Sequence, residues 1–121
     1  MSIDAVLREL HSNPSFMRMV AAWEQIPARP ALHADPPPAL MPELVDLMRR
    51  RGTWPLYAHQ AHAVEASLAG DNVMVVTGTA SGKTLCYNLP VLQLLRQEPS
   101  AAALYLYPTK ALARDQLAAL A

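Results

Sequence analysis

The chain has 121 residues, 52% of them hydrophobic, which is the length of one modest domain with enough apolar material for a core. Its formal charge is zero, which excludes the global positive field of an autonomous nucleic-acid-binding module but not a motor holding DNA in a local groove. A single cysteine, Cys86, excludes an internal disulfide and fits a reducing compartment. No stretch reaches the roughly 18 apolar residues of a membrane span. Met1-Ser2-Ile3-Asp4 lacks the basic start of a signal peptide. A cytoplasmic protein without membrane contact is expected.

In chain order, Ile3, Val6, Leu7 and Leu10 line one face of a first helix with Ser2 as its N-cap. Residues 15–25 carry a second helical pattern, stopped by Pro27. Seven of the eleven prolines lie at or before Pro42, and Pro36-Pro37-Pro38 favours extended backbone. Residues 1–41 therefore read as a helical, then proline-rich extension, and residues 42–121 as the regular part. Pro42 suits a first helical turn, Leu44, Leu47 and Met48 form its stripe, and Gly52 closes it. Arg49, Arg50 and Arg51 sit at the negative end of that helix dipole, a placement that accounts for them without a DNA contact. A further helix is expected from Ala58 to Ala69, ended by Gly70.

Val73-Met74-Val75-Val76 then reads as a buried parallel strand. A glycine-containing loop follows, then a helix through Leu85, Leu89, Leu92 and Leu95 that Pro90 bends without stopping. Residues 103–107 read as a second strand, and Lys110 to Ala121 as a last helix. Strand, helix, strand, helix is an α/β open-sheet pattern.

The loop Thr77-Gly78-Thr79-Ala80-Ser81-Gly82-Lys83-Thr84 joins strand to helix, so its backbone N–H groups converge on one point and cradle phosphates at the positive end of the helix dipole. Thr79, Ala80, Ser81 and Gly82 supply the cradle, Lys83 reaches the β- and γ-phosphates, and the Thr84 hydroxyl ligates Mg²⁺. Thr77 stands where the general pattern has its first glycine. Only two of the ten basic residues are lysine, Lys83 and Lys110, and both fall in strand-to-helix turns.

Residues 73–90 resemble motif I of superfamily 2 helicases, and Thr-Ala-Ser-Gly-Lys-Thr-Leu-Cys-Tyr-Asn-Leu-Pro (79–90) is similar to the DEAD/DEAH-box DNA helicases that end in a four-cysteine zinc-binding domain. Those relatives commonly have proline where this chain has Gly78, and Pro90 is usual among them. The resemblance spans roughly residues 23–120 and is most specific over 77–90. It implies a partial RecA-like P-loop NTPase domain, the first part of an ATP-dependent helicase motor using ATP and Mg²⁺ on DNA, with a link to DNA repair. Gly52-Thr53-Trp54-Pro55-Leu56-Tyr57-Ala58-His59-Gln60 is similar to the adenine-reading motif, so Gln60 is implied to read the base. Thr53 stands where relatives often stack an aromatic, leaving Trp54 or Tyr57 as substitutes. Residues 104–116 resemble motif Ia, which implies a DNA-backbone contact by Pro108, Thr109 and Lys110.

His59 and His62 lie three apart without a cysteine or acidic cluster, so no zinc site is expected in this segment. Cys86 reads as a packing residue. No Asp-Glu-x-His and no assignable arginine finger occur, so the catalytic set is incomplete, and the final helical pattern runs to Ala121 without a cap. Strands 73–77 and 103–107 are expected not to be neighbours, leaving open edges and a marginally folded chain without ATPase activity. The competing readings are a truncated nucleotide-binding fragment and a different P-loop enzyme such as a small-molecule kinase.

Overall fold

The computed structural model describes residues 2–79 and 81–120, the side chains of residues 119 and 120 excepted. It divides into two compact units, up to Pro30 and from Ala31 onward. In the first, helix α1 (Ile3–Ser12) starts where the Ser2 hydroxyl accepts from the Ala5 N–H at 3.3 Å. Helix α2 (Pro14–Met17) is capped by Asn13 and is much shorter than the 15–25 pattern suggested. An isolated helix of that length is marginal, and residues 21–30 are all exposed, so no packing sustains it. Trp23 instead meets the His11 ring edge-on at 5.3 Å.

The second unit holds the core. Strand β1 (His33–Ala34) pairs antiparallel with β2 (Leu56–Tyr57), with His33 opposite Tyr57 and Ala34 opposite Leu56. Between them runs α3 (Pro42–Arg50), with proline at its first position, and Gly52 closes the turn at φ +68°. Helix α4 (Ala58–Leu68) follows β2 directly, and α5 (Lys83–Gln97) packs against it. Leu40, Met48, Leu56, Ala61, Val64 and Leu89 form the buried cluster, with Leu44, Val45, Trp54 and Leu85 packed around it. Leu40 thus places the end of the proline-rich stretch in this core. Helix α5 continues through Pro90, as the leucine period required.

A buried amide ties the stretch before α3 to α5. Gln93 accepts from the Met41 N–H at 2.8 Å and donates to the Ala39 carbonyl at 2.9 Å. These two bonds satisfy backbone groups that no ladder reaches.

The expected strands are the main departure. Residues 73–77 and 103–107 form no ladder here, and the only sheet among the described residues is β1–β2. Met74 is 88% exposed and Leu104 86%, while Val75 and Tyr105 are half-buried, so each apolar run is covered on one side only. The physical reason is the one anticipated for an incomplete sheet: a parallel strand is stable only between partners and under helices. The last helix, α6 (Lys110–Leu120), is held to α5 by the Tyr87 hydroxyl donating to Gln116 Oε1 at 3.2 Å. Burial, then the neighbouring Tyr87, raises the Tyr105 phenol, and this protonated hydroxyl donates to the buried Asn88 at 3.1 Å.

Two outcomes are expected. Gln93→Ala lowers stability in urea by about 1–3 kcal/mol, the cost of orphaning a buried backbone group, while the exposed Gln97→Ala leaves it unchanged. In hydrogen exchange of the 121-residue chain, amides 73–76 and 104–107 exchange without protection while those of α4 and α5 are protected; equal protection would contradict this description.

Candidate functional site

The site is built where the N-terminus of α4 meets the N-terminus of α5. Gln60 is the third residue of α4 and is 2% exposed. Its Oε1 accepts from the Tyr57 N–H at 2.9 Å, closing the orphan donor at the helix start. Its Nε2 donates to the Gly82 carbonyl at 2.9 Å. One amide therefore holds both the start of α4 and the turn into α5. An amide has two donors and two acceptor sites, so one N–H and one lone pair remain unused by these bonds.

Gly82 is required there for two reasons. Its φ of +74° lies in the left-handed region, and an added Cβ would meet Gln60 Nε2 at 2.5 Å. A left-handed residue directly before a helix turns successive N–H groups toward one side, which is an anion-binding geometry.

Lys83 folds back over the loop. Its Nζ donates to the Thr77 carbonyl at 3.1 Å, the Thr77 hydroxyl at 3.3 Å, the Ser81 hydroxyl at 3.2 Å and the Gly78 carbonyl. The Thr77 and Ser81 hydroxyls are themselves joined at 2.5 Å. Thr77, in the place of the usual glycine, thus contributes both of its oxygens to holding the ammonium. All four acceptors are neutral, so a phosphate oxygen offers the same ammonium a stronger, charge-assisted bond. Thr79 is exposed, Thr84 is partly buried in the first turn of α5, and Ala80 lies outside the described residues.

A pocket of about 310 Å³ opens beside this junction, with His33, Thr53, Trp54, Tyr57, Gln60 and Gly82 among the residues that line it. The segment 52–60 and Gly82, at the turn into α5, thus line one cavity. His33 escaped the sequence reading. Its signal is nonlocal, because only the β1–β2 register brings it opposite Tyr57. The two rings stack at 5.1 Å, and Tyr57 also stacks on His59 at 5.8 Å.

The remaining residues fall in place individually. Arg49 bonds Asp46 at 3.2 Å and lies 5.0 Å over the Trp54 ring, so it is engaged within the chain at the end of α3. Cys86 is buried, and that burial pushes its thiol up, against its backbone hydrogen bond and the Lys83 charge that pull it down. His59 Nε2 is buried without a partner, and among the described residues no group of three metal-ligating side chains occurs. Thr109 caps α6, its hydroxyl accepting from the Leu112 N–H at 3.2 Å, which leaves its proton to donate elsewhere. Pro108, Thr109 and Lys110 are all exposed. Among the described residues no helix is long and apolar enough to cross a membrane.

Gly82→Ala is expected to weaken binding of inorganic tripolyphosphate by at least about tenfold, since a left-handed alanine costs about 1–2 kcal/mol before the clash with Gln60 is added. Titration calorimetry reads the effect, and unchanged affinity would contradict the cradle geometry.

Residues 57–121, just over half of the chain, match the profile of the family described as DEAD/DEAH box helicase. The chain is 44% identical over 110 residues to the uncharacterized ATP-dependent helicase YprA of Bacillus subtilis, covering 91% of this chain and 15% of YprA. It is 34% identical over 115 residues to the ATP-dependent helicase HRQ1 of Saccharomyces cerevisiae, covering 95% of this chain and 10% of that protein. Its fold matches the helicase MrfA, crystallised bound to DNA and AMPPNP, with a TM-score of 0.86 and 40% identity, over 99% of this chain and 16% of MrfA. The chain thus spans about a tenth to a sixth of the proteins it matches. With more than half of its length matched to that profile and these identities over more than nine-tenths of it, this chain belongs to the DEAD/DEAH-box helicase family.

Proposed function

We propose that the chain is the N-terminal, ATP-binding part of the first motor domain of an ATP-dependent DNA helicase. The observation that carries this reading is the Gln60–Gly82 hydrogen bond, which joins a base-reading segment to a phosphate-cradling one around a single pocket. Gln60 offers its unused N–H to adenine N7 and its unused lone pair to the N6 amine. The backbone N–H groups of Thr79 to Gly82, Ala80 included, receive the phosphates, and Lys83 exchanges loop oxygens for the β- and γ-phosphates. The Thr84 hydroxyl fits a Mg²⁺ ligand because it stands in the first turn of α5, one residue after Lys83. That ion, when bound, neutralises charge between the phosphates.

DNA is the proposed substrate of the whole motor. Pro108 lets the chain turn, Thr109 keeps a donor proton beyond its capping bond, and Lys110 adds an exposed cation at the start of α6. The finer fold assignment belongs to the same proposal. Residues 73–77 and 103–107 become strands of a RecA-like sheet once neighbouring strands are supplied, and residues 42–121 carry the motor portion while residues 1–41 lead into it. No Asp-Glu-x-His occurs in the chain, so water activation and the second metal-holding carboxylate must come from elsewhere in the protein.

The test has two arms. In the whole protein, DNA-stimulated ATP hydrolysis is expected, and Lys83→Ala should abolish it with ATP binding. In the 121-residue chain alone, no turnover is expected. DNA-stimulated hydrolysis that survives Lys83→Ala would refute the site, and turnover by the short chain would refute its incompleteness.

A further inference from the structure

The base-side pocket contains three aromatic rings, and their packing decides which of them is open to a ligand. Trp54 has the Arg49 guanidinium over its ring at 5.0 Å and packs against the hydrophobic cluster. Tyr57 already carries two imidazoles, His33 at 5.1 Å and 18°, and His59 at 5.8 Å and 10°. Both rings are thus already engaged within the protein, Trp54 by a cation and Tyr57 by two imidazoles. Thr53, also on the pocket wall, has no ring. His33 differs from all of these. Among the described residues it stacks on one ring only, it is exposed, and it stands at the end of the His33–Tyr57–His59 series.

Its orientation is also held. His33 Nδ1 lies 3.2 Å from the Leu56 carbonyl, and the β1–β2 register fixes its backbone opposite Tyr57. A planar ring fixed in place loses little freedom when a second ring stacks on it, and offset stacking of this kind suits a purine. Gln60, on the same pocket wall, supplies edge recognition, while the ring face supplies affinity for any base.

We propose that His33, from the segment before α3, is the base-stacking residue of this site, taking the role that the chain withholds at Thr53. The inference rests on the reading of the pocket as the ATP site, and it adds an aromatic ring to the lining that Gln60 shares. His33 positions the base and has no part in the bond-breaking chemistry. Tyr57 and His59 act behind it as a stacked support.

The experiment compares ATP and inorganic tripolyphosphate, each with Mg²⁺, binding to the whole protein by calorimetry, with Lys83→Ala as reference. His33→Ala is expected to weaken ATP by about tenfold, the usual cost of a lost base stack, and to leave tripolyphosphate unchanged. His33→Phe should keep ATP affinity within about twofold, and the non-aromatic His33→Leu should lose it like alanine. If His33→Ala fails to fold, the Phe–Leu pair decides alone. Equal ATP affinity in all three variants, with Lys83→Ala still silent, overturns the role of His33 and leaves the ATP site standing. Parallel loss of ATP and tripolyphosphate also overturns it, because that marks a structural defect. Absence of Lys83-dependent ATP binding in the unmodified protein overturns both readings.

Discussion

The site depends on one contact between a side-chain amide and a backbone carbonyl. Gln60 is almost completely buried, and a buried amide left without partners costs about 1–3 kcal/mol, so its position is dictated by the bonds it makes. One of these closes the start of α4 and the other grips the carbonyl of Gly82. The contact is close enough that any side chain at position 82 would collide with it, and the left-handed backbone there independently favours glycine. The turn into α5 and the base-side wall are therefore set relative to each other by a single residue. The orientation of Lys83, at the first position of α5, follows from that turn.

Around this junction the chain is unevenly complete. From Leu40 to Leu89 the helices α3, α4 and α5 enclose a shared cluster, and buried amides of Gln60 and Gln93 answer the backbone groups that helices and the short β1–β2 pair leave over. The two apolar runs on either side of α5 have no such answer. They carry the composition of central strands but are covered on one side only, with Met74 and Leu104 turned to solvent. The junction of α4 and α5 is thus packed and bonded, whereas these two runs join no sheet among the described residues. The family relatives, of which this chain covers a small share, explain the mismatch between its patterning and its packing.

Much of this was legible in the residues. Pro42 and Gly52 bracket α3, Gly70 follows α4, and the leucine spacing carries α5 across Pro90, because these signals act within a few residues of where they stand. The turn from the glycine-containing loop into α5 was legible for the same reason. The strands were not, since a buried-type run becomes a strand only through partners at distant positions. The helix expected over 15–25 failed similarly: periodicity marks a face but supplies nothing to bury it against. His33 was invisible because its importance arises from pairing with a residue 24 positions later. Whether Gln60 touches a base could be inferred only by resemblance, whereas its hold on Gly82 is a fact of geometry.

The most direct measurement of the central claim is nucleotide binding by Gln60→Leu in the whole protein, comparing ATP, GTP and tripolyphosphate. If the amide both reads adenine and holds the phosphate turn, the unmodified protein prefers ATP over GTP. The variant then loses that preference and, unlike a stacking variant, also binds tripolyphosphate more weakly, because Gly82 has been released. A Gln60→Leu protein that keeps both its ATP preference and its tripolyphosphate affinity would contradict the account.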